Sequence, residues 1–207
     1  MELKRPAQAA TSQATVVPLA KRMKTVNVIE TSPSDYAEAA FRANGFDTDD
    51  IIEKAYQKFY EPTTEELQAY TFETSRAVRD NDLARLQQLN DKGVLLDCCN
   101  RFGDSLLHIA CRRGHTETVK FLVEEVQVSV NRLDDLRRTP LHDACWTSEP
   151  NFEIVNILIQ KAPEHVLLRD NRGHTPFDYA RKAHWESWVK FLSERSALFR
   201  LDTTSER

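Results

Sequence analysis

Two histidine and cysteine pairs have a spacing that could do chemistry. His108-Ile109-Ala110-Cys111 and His142-Asp143-Ala144-Cys145 each set an imidazole and a thiol at i and i+3. On a helix that spacing places both groups on one face, as a metal site or an activated thiol would need. Paired carboxylates occur at Asp49-Asp50 and Asp134-Asp135, which read as solvated turn residues in polar connectors. The four cysteines, two of them adjacent at Cys98 and Cys99, fit neither a zinc spacing nor a secreted disulfide framework and point to a reducing compartment. The 207 residues hold 5 glycines and contain no glycine-rich phosphate loop, G-x-S-x-G elbow or H-E-x-x-H pair. Catalysis therefore has no motif to rest on, and no cofactor or metal is expected.

The elements that would position these residues can be inferred from composition. Scarce glycine argues for helices. Charged residues make up 29% of the chain with a net charge of −4, which excludes a nucleic-acid-coating protein as a first reading. The charge is uneven. Residues 1–33 carry +3, residues 34–73 carry ten acidic against three basic side chains, and the remainder is balanced at 20 of each. The basic head, 1–33, lacks an apolar period and is expected to be disordered. Its longest apolar stretch, Val16 to Ala20, is interrupted by Pro18 and is too short for a signal core. No later stretch reaches the roughly 20 apolar residues of a membrane helix. An intracellular, cytoplasmic protein is expected, and Lys4, Arg5, Lys21, Arg22 and Lys24 resemble a loose two-part nuclear import signal.

Helical spacing recurs in the acidic extension, 34–69. Tyr36, Ala39, Ala40 and Ala43 lead to a stop at Gly45, and Ile51, Ile52, Ala55, Tyr56 and Phe59 form a stretch ended by Pro62. Thr63 with Glu66 is a capping box, predicting a helix from about 64 to about 79. The acidic segment, with its charge of −7, is expected to lie along or cap the body of the chain.

The body, 70–198, repeats itself. Val119, Val155 and Val189 recur at steps of 36 and 34, as do Leu122, Leu158 and Leu192, while His108 and His142 are 34 apart. Ala77 to Ala110 and Leu89 to Leu122 add a weaker copy at 33. Such periods mean stacked units that bury a core only against their neighbours. Each unit reads as helix, tight turn, helix and extended connector. Thr139-Pro140-Leu141-His142 opens one first helix, with threonine as N-cap and proline in the first turn, and Ser105-Leu106-Leu107-His108 opens another.

These residues resemble the ankyrin repeat and its T-P-L-H-x-A signature. The runs Cys99 to Gly103, Cys111 to Gly114 and Asp143 to Trp146 also resemble ankyrin proteins of unicellular eukaryotes, which implies no activity. The resemblance implies an all-α solenoid of about four repeats near 70–99, 100–133, 134–169 and 170–195, with a tail at 199–207. It also implies that His108 and His142 bond the Ser105 and Thr139 hydroxyls and a neighbouring backbone, with the cysteines in buried small-residue slots. Three departures stand out. Asp178 replaces the motif histidine, and Ser148 to Asn151 carries an insertion. Arg137 stands where Gly103 and Gly173 sit, so its turn is expected to need less glycine-like geometry.

Ankyrin proteins bind macromolecules through connector tips and the concave ends of first helices. Carried over by position, the tips are Arg101, Phe102, Asp104, Asp135, Leu136, Arg138, Asn171, Arg172 and His174. The helix slots are Arg112, Arg113, Trp146, Thr147 and Lys182. Arginine and aromatics at these slots suggest a basic groove for another protein, with an acidic or phosphorylated segment as its complement. The alternative is an adaptor or nuclear regulator that recruits a second partner through its N-terminal segment. Nucleic-acid binding would need a basic face, which the balanced body does not offer. A non-catalytic, monomeric binding module is the expectation.

Overall fold

The computed structural model describes residues 31–199. The basic head, with its five import-signal residues and its expected disorder, falls outside them apart from Thr31 to Pro33, as does the tail beyond Phe199.

Three short helices precede the array. Helix α1, Pro33–Ala43, starts where Ser32 Oγ accepts the Asp35 amide at 3.0 Å and stops before Gly45, whose φ is +86°. Its buried face is Ala37, Ala40 and Phe41, and Ala39 and Ala43 are exposed, contrary to the expected stripe. The large Phe41 ring sets the rotation by packing edge-on against Phe199, 5.3 Å between centroids. Phe199 therefore belongs to the core and not to a tail. Helix α2, Thr48–Tyr56, is capped by Asp47 and ends well before Pro62. Asp49 and Asp50 thus lie in its first turn, where carboxylates favour the helix dipole, and not in a connector.

The helix expected over 64–79 is two helices. Helix α3, Thr64–Ala69, carries the predicted box, with Glu66 Oε2 accepting the Thr63 amide at 2.7 Å. A second box, Thr71 with Thr74, restarts the chain as α4, Phe72–Arg79. Thr74 Oγ1 also donates to the Ala69 carbonyl at 3.3 Å, satisfying an end that a continuous helix would not have.

The array itself is built from helix pairs. Repeat 1 is α4 with α5, Leu83–Asp91. Repeat 2 is α6, Leu106–Arg113, with α7, Thr116–Lys120, which continues as a π turn over Phe121–Glu125. Repeat 3 is α8, Pro140–Cys145, with α9, Phe152–Lys161. In repeat 4 the first helix is only a 3-10 turn, Pro176–Tyr179, before α10, Trp185–Glu194. The repeating columns form the core: Val119, Val155, Val189, Leu122, Leu158 and Leu192 are all buried. Among the described residues, extended pairing is limited to a bridge between Cys99 and Ser105.

The acidic extension forms a strap along this array. It begins on repeat 4, where α1 packs on α10 and Ser34 Oγ meets Thr175 Oγ1 at 2.7 Å. It then passes repeat 3, with Tyr56 Oη donating to the Arg169 carbonyl at 2.8 Å and Lys58 pairing with Glu164 at 2.5 Å. It reaches repeat 2 at Arg132, held by Glu66 at 2.6 Å, and turns into repeat 1. Thus the first described helix packs on repeat 4, against both α10 and the 3-10 turn that opens that repeat.

Candidate functional site

Each connector is organised by one side chain. Asn100 Oδ1 accepts the Phe102 and Asp104 amides at 2.8 and 3.2 Å. Asp134 Oδ1 does the same for Leu136 and Arg138 at 3.0 and 2.7 Å, and Asp170 Oδ1 for Arg172 and His174 at 2.8 and 2.9 Å. Asp134 is buried and fully engaged, which corrects its reading as a solvated turn residue. Successive tips are laced together: the Asp135 amide donates to the Phe102 carbonyl at 2.8 Å and the Asn171 amide to the Leu136 carbonyl at 2.9 Å. Asn171 Nδ2 adds a bond to the Asp135 carbonyl at 3.1 Å.

The turn at Arg137 corrects a second expectation. Its φ is +61°, the same left-handed geometry as Gly103 at +75° and Gly173 at +81°. The chain keeps the glycine conformation and places an arginine in it, with the guanidinium 4.5 Å from the Tyr56 ring of the strap.

The histidine and cysteine pairs are structural. His142 Nδ1 accepts the Thr139 amide at 3.1 Å and lies 3.0 Å from its hydroxyl, while Nε2 faces the His174 carbonyl at 3.2 Å. A carbonyl only accepts, so Nε2 carries the proton and both ring nitrogens are used. Burial pushes this imidazole down to about 4. His108 repeats the arrangement with Ser105 and the Arg138 carbonyl, at 2.8 and 3.0 Å. Asp178 fills the slot in repeat 4, accepting the Thr175 amide at 2.7 Å. Cys111 and Cys145 are buried, and burial pushes both thiols up, away from thiolate.

On the concave side two of the expected arginines, Arg112 and Arg138, are held in ion pairs. Arg112 pairs with Asp104 at 2.9 Å and Asp143 at 2.8 Å, and Arg138 pairs with Asp134 at 2.6 Å. The expected basic groove is instead a neutralised chain of alternating charges. At its centre Asp143 is fully buried. Its Oδ1 accepts no hydrogen bond among the described residues, Arg138 Nη1 being 3.8 Å away, and burial raises its carboxyl.

Above this floor stand apolar groups. Trp146 is 54% exposed and stacked on Tyr179 at 5.5 Å, with the Arg138 guanidinium 5.5 Å from its ring. Phe102 and Leu136 are exposed at adjoining tips, Arg101 lying over the Phe102 ring at 4.7 Å. Thr147 closes the inserted turn by donating to the Glu149 carbonyl at 2.6 Å. Arg113, Asp135, Asn171, Arg172 and His174 are exposed along the same rim. Lys182 stands apart, in a 3-10 turn over Trp185. Sequence reasoning missed Asp143 and Tyr179. The only signal was a carboxylate one position after the motif histidine.

Residues 75–170 match the family model for ankyrin repeats, in three copies. These residues are ankyrin repeats. The array is similar to the ankyrin repeat protein YahD of Escherichia coli (strain K12), 31% identical over 117 residues, or 55% of this chain and 57% of that one. An ankyrin repeat protein of Rickettsia bellii is 26% identical across 59% of this chain and 66% of its own. Human Rabankyrin-5 is 38% identical over 77 residues, 37% of this chain and 6% of its length. The chain spans less than two thirds of the curated relatives it matches. The matched span of the ankyrin array ends at repeat 3, before the copy whose first helix has collapsed to a 3-10 turn. Ankyrin repeats are protein-interaction modules. No helix among the described residues is long and apolar enough to cross a membrane.

Proposed function

We propose that this chain is a non-catalytic binding module that holds a segment of a partner protein across its connector tips and concave face. One observation carries the reading. Phe102, Leu136 and Trp146, at 48%, 40% and 54% exposure, are large apolar side chains standing on two consecutive connectors and at the end of α8, over a floor locked by ion pairs. Aromatic groups on a rigid base act as interface anchors because little entropy is lost when they are covered.

The paired state of Arg112 and Arg138 shifts the expected partner. An acidic or phosphorylated segment must compete with Asp104, Asp134 and Asp143 for these guanidinium groups, so apolar contact with Trp146 and the tips contributes most of the affinity. The test compares wild type with a Phe102→Ala/Leu136→Ala/Trp146→Ala variant in quantitative affinity capture. Loss of specific partners with an unchanged melting temperature supports the assignment. An unchanged partner set rejects it.

A further inference from the structure

The strap is fastened to repeat 2 by a buried cation with a spare donor. Arg132 is 1% exposed, and its Nε has no hydrogen-bond partner among the described residues. Its Nη2 donates to Glu66 Oε1 at 2.6 Å and to Tyr60 Oη at 3.0 Å, and Asp97 Oδ1 lies 3.6 Å away. The guanidinium also sits 4.5 Å from the centre of the Tyr60 ring. With its oxygen accepting from Arg132, the Tyr60 hydroxyl points its own proton at Glu66 Oε1, 3.3 Å away. One phenol thus bridges both halves of the ion pair.

Tyr60 is nevertheless 47% exposed, in the non-helical link 57–63 between α2 and α3. Such a link can be drawn out into an enzyme cleft without unwinding a helix. We propose that Tyr60 is a phosphorylation site, and that its modification transfers Arg132 from Glu66 to the new phosphate and loosens the strap at α3.

The step is an ordinary phosphoryl transfer by an ATP-dependent tyrosine kinase. Oη bonds to the γ-phosphorus of ATP, the bond from that phosphorus to the β-γ bridging oxygen breaks, ADP leaves, and the phenolic proton passes to the kinase base. The product has lost the proton that Tyr60 gave to Glu66. It carries about −2 charge and acceptor oxygens within reach of the unpaired Nε. Two carboxylates and a phosphate crowd far more negative charge around one guanidinium than its single positive charge offsets, and the phosphate offers the stronger bidentate match. Glu66 is the group displaced. Because Glu66 also closes the α3 capping box on the Thr63 amide, its departure weakens the helix start as well as the attachment.

The test uses the full chain with a tyrosine-kinase domain chosen to label a 57–66 peptide, whose single tyrosine is Tyr60. Mass spectrometry should find phosphate on Tyr60 in the folded protein. Amide exchange over 64–69 should then quicken about tenfold while that in α6 and α8 stays unchanged. Tyr60→Phe should retain slow exchange after kinase treatment. Glu66→Gln should start with faster exchange and respond little to modification. A folded chain that resists labelling at Tyr60 while the peptide is labelled would overturn the proposal. So would full modification that leaves exchange over 64–69 unaltered.

Discussion

Glu66 Oε1 lies 2.6 Å from Arg132 Nη2, an ion pair closed over 66 positions of sequence and buried at both ends. Removing one partner strands the other charge away from water. Glu66→Ala should therefore cost about 3 kcal/mol in urea denaturation. Lys58→Ala, which breaks a pair whose lysine is half exposed, should cost less than about 1 kcal/mol. Equal losses would show that burial does not set the strength of the attachment.

The contact of His142 with the His174 carbonyl joins repeat 3 to repeat 4. His142→Leu leaves that carbonyl and the Thr139 amide unpaired inside the core, and should lower stability by about 2 to 3 kcal/mol. Asp178→Ala, which removes the acceptor of the Thr175 amide, should cost about 1 kcal/mol as a lost cap. Thermal melts of the two variants check the ordering.

Backbone strain at Arg137 can be isolated by comparing two variants that both lack the guanidinium. Arg137→Gly should be more stable than Arg137→Ala by about 1 kcal/mol, because only alanine keeps a Cβ at φ +61°. At Gly103 the demand is stricter. An added Cβ would come within 2.2 Å of the Leu133 carbonyl oxygen, whereas at Gly173 it meets open space. Gly103→Ala should cost several-fold more than Gly173→Ala.

Acid should loosen the array before its carboxylates are neutralised. Burial holds His142 and His165 at about 4, against an ordinary value of 6.5. The unfolded chain binds these two protons first, so stability is full above pH 6.5 and falls as pH drops from 6.5 towards 4. The linkage amounts to about 3 kcal/mol for each histidine. His165→Gln keeps a donor for Asn131 and does not titrate, so the melting temperature of this variant should depend less steeply on pH across that interval.

What the sequence revealed was local or periodic. The Val and Leu columns and the Thr63 and Glu66 box concern residues one turn or one repeat apart, and all are found as read. The strap's route depends on partners such as Ser34 and Thr175, 141 positions apart, and no short window contains both. Charge composition marks Arg112 and Arg138 as candidate ligands for acidic partners. Only geometry shows Asp143 rising between them to neutralise the groove. The left-handed turn at Arg137 escapes the sequence for a related reason. Three laced connectors impose one backbone path, and the tertiary demand overrides the residue's preference.

The strap's docking on repeat 4 alters how such an array can assemble. A linear stack gains order repeat by repeat from local contacts, so its folding can spread from any pair of neighbours. Here α1 completes its buried surroundings only when α10 and Phe199 exist, and the chain between them must close as one large loop. During synthesis α1 leaves the ribosome long before its binding site does. Its core stays incomplete until repeat 4 is made, which makes completion of repeat 4 the event that secures α1 and α10 together.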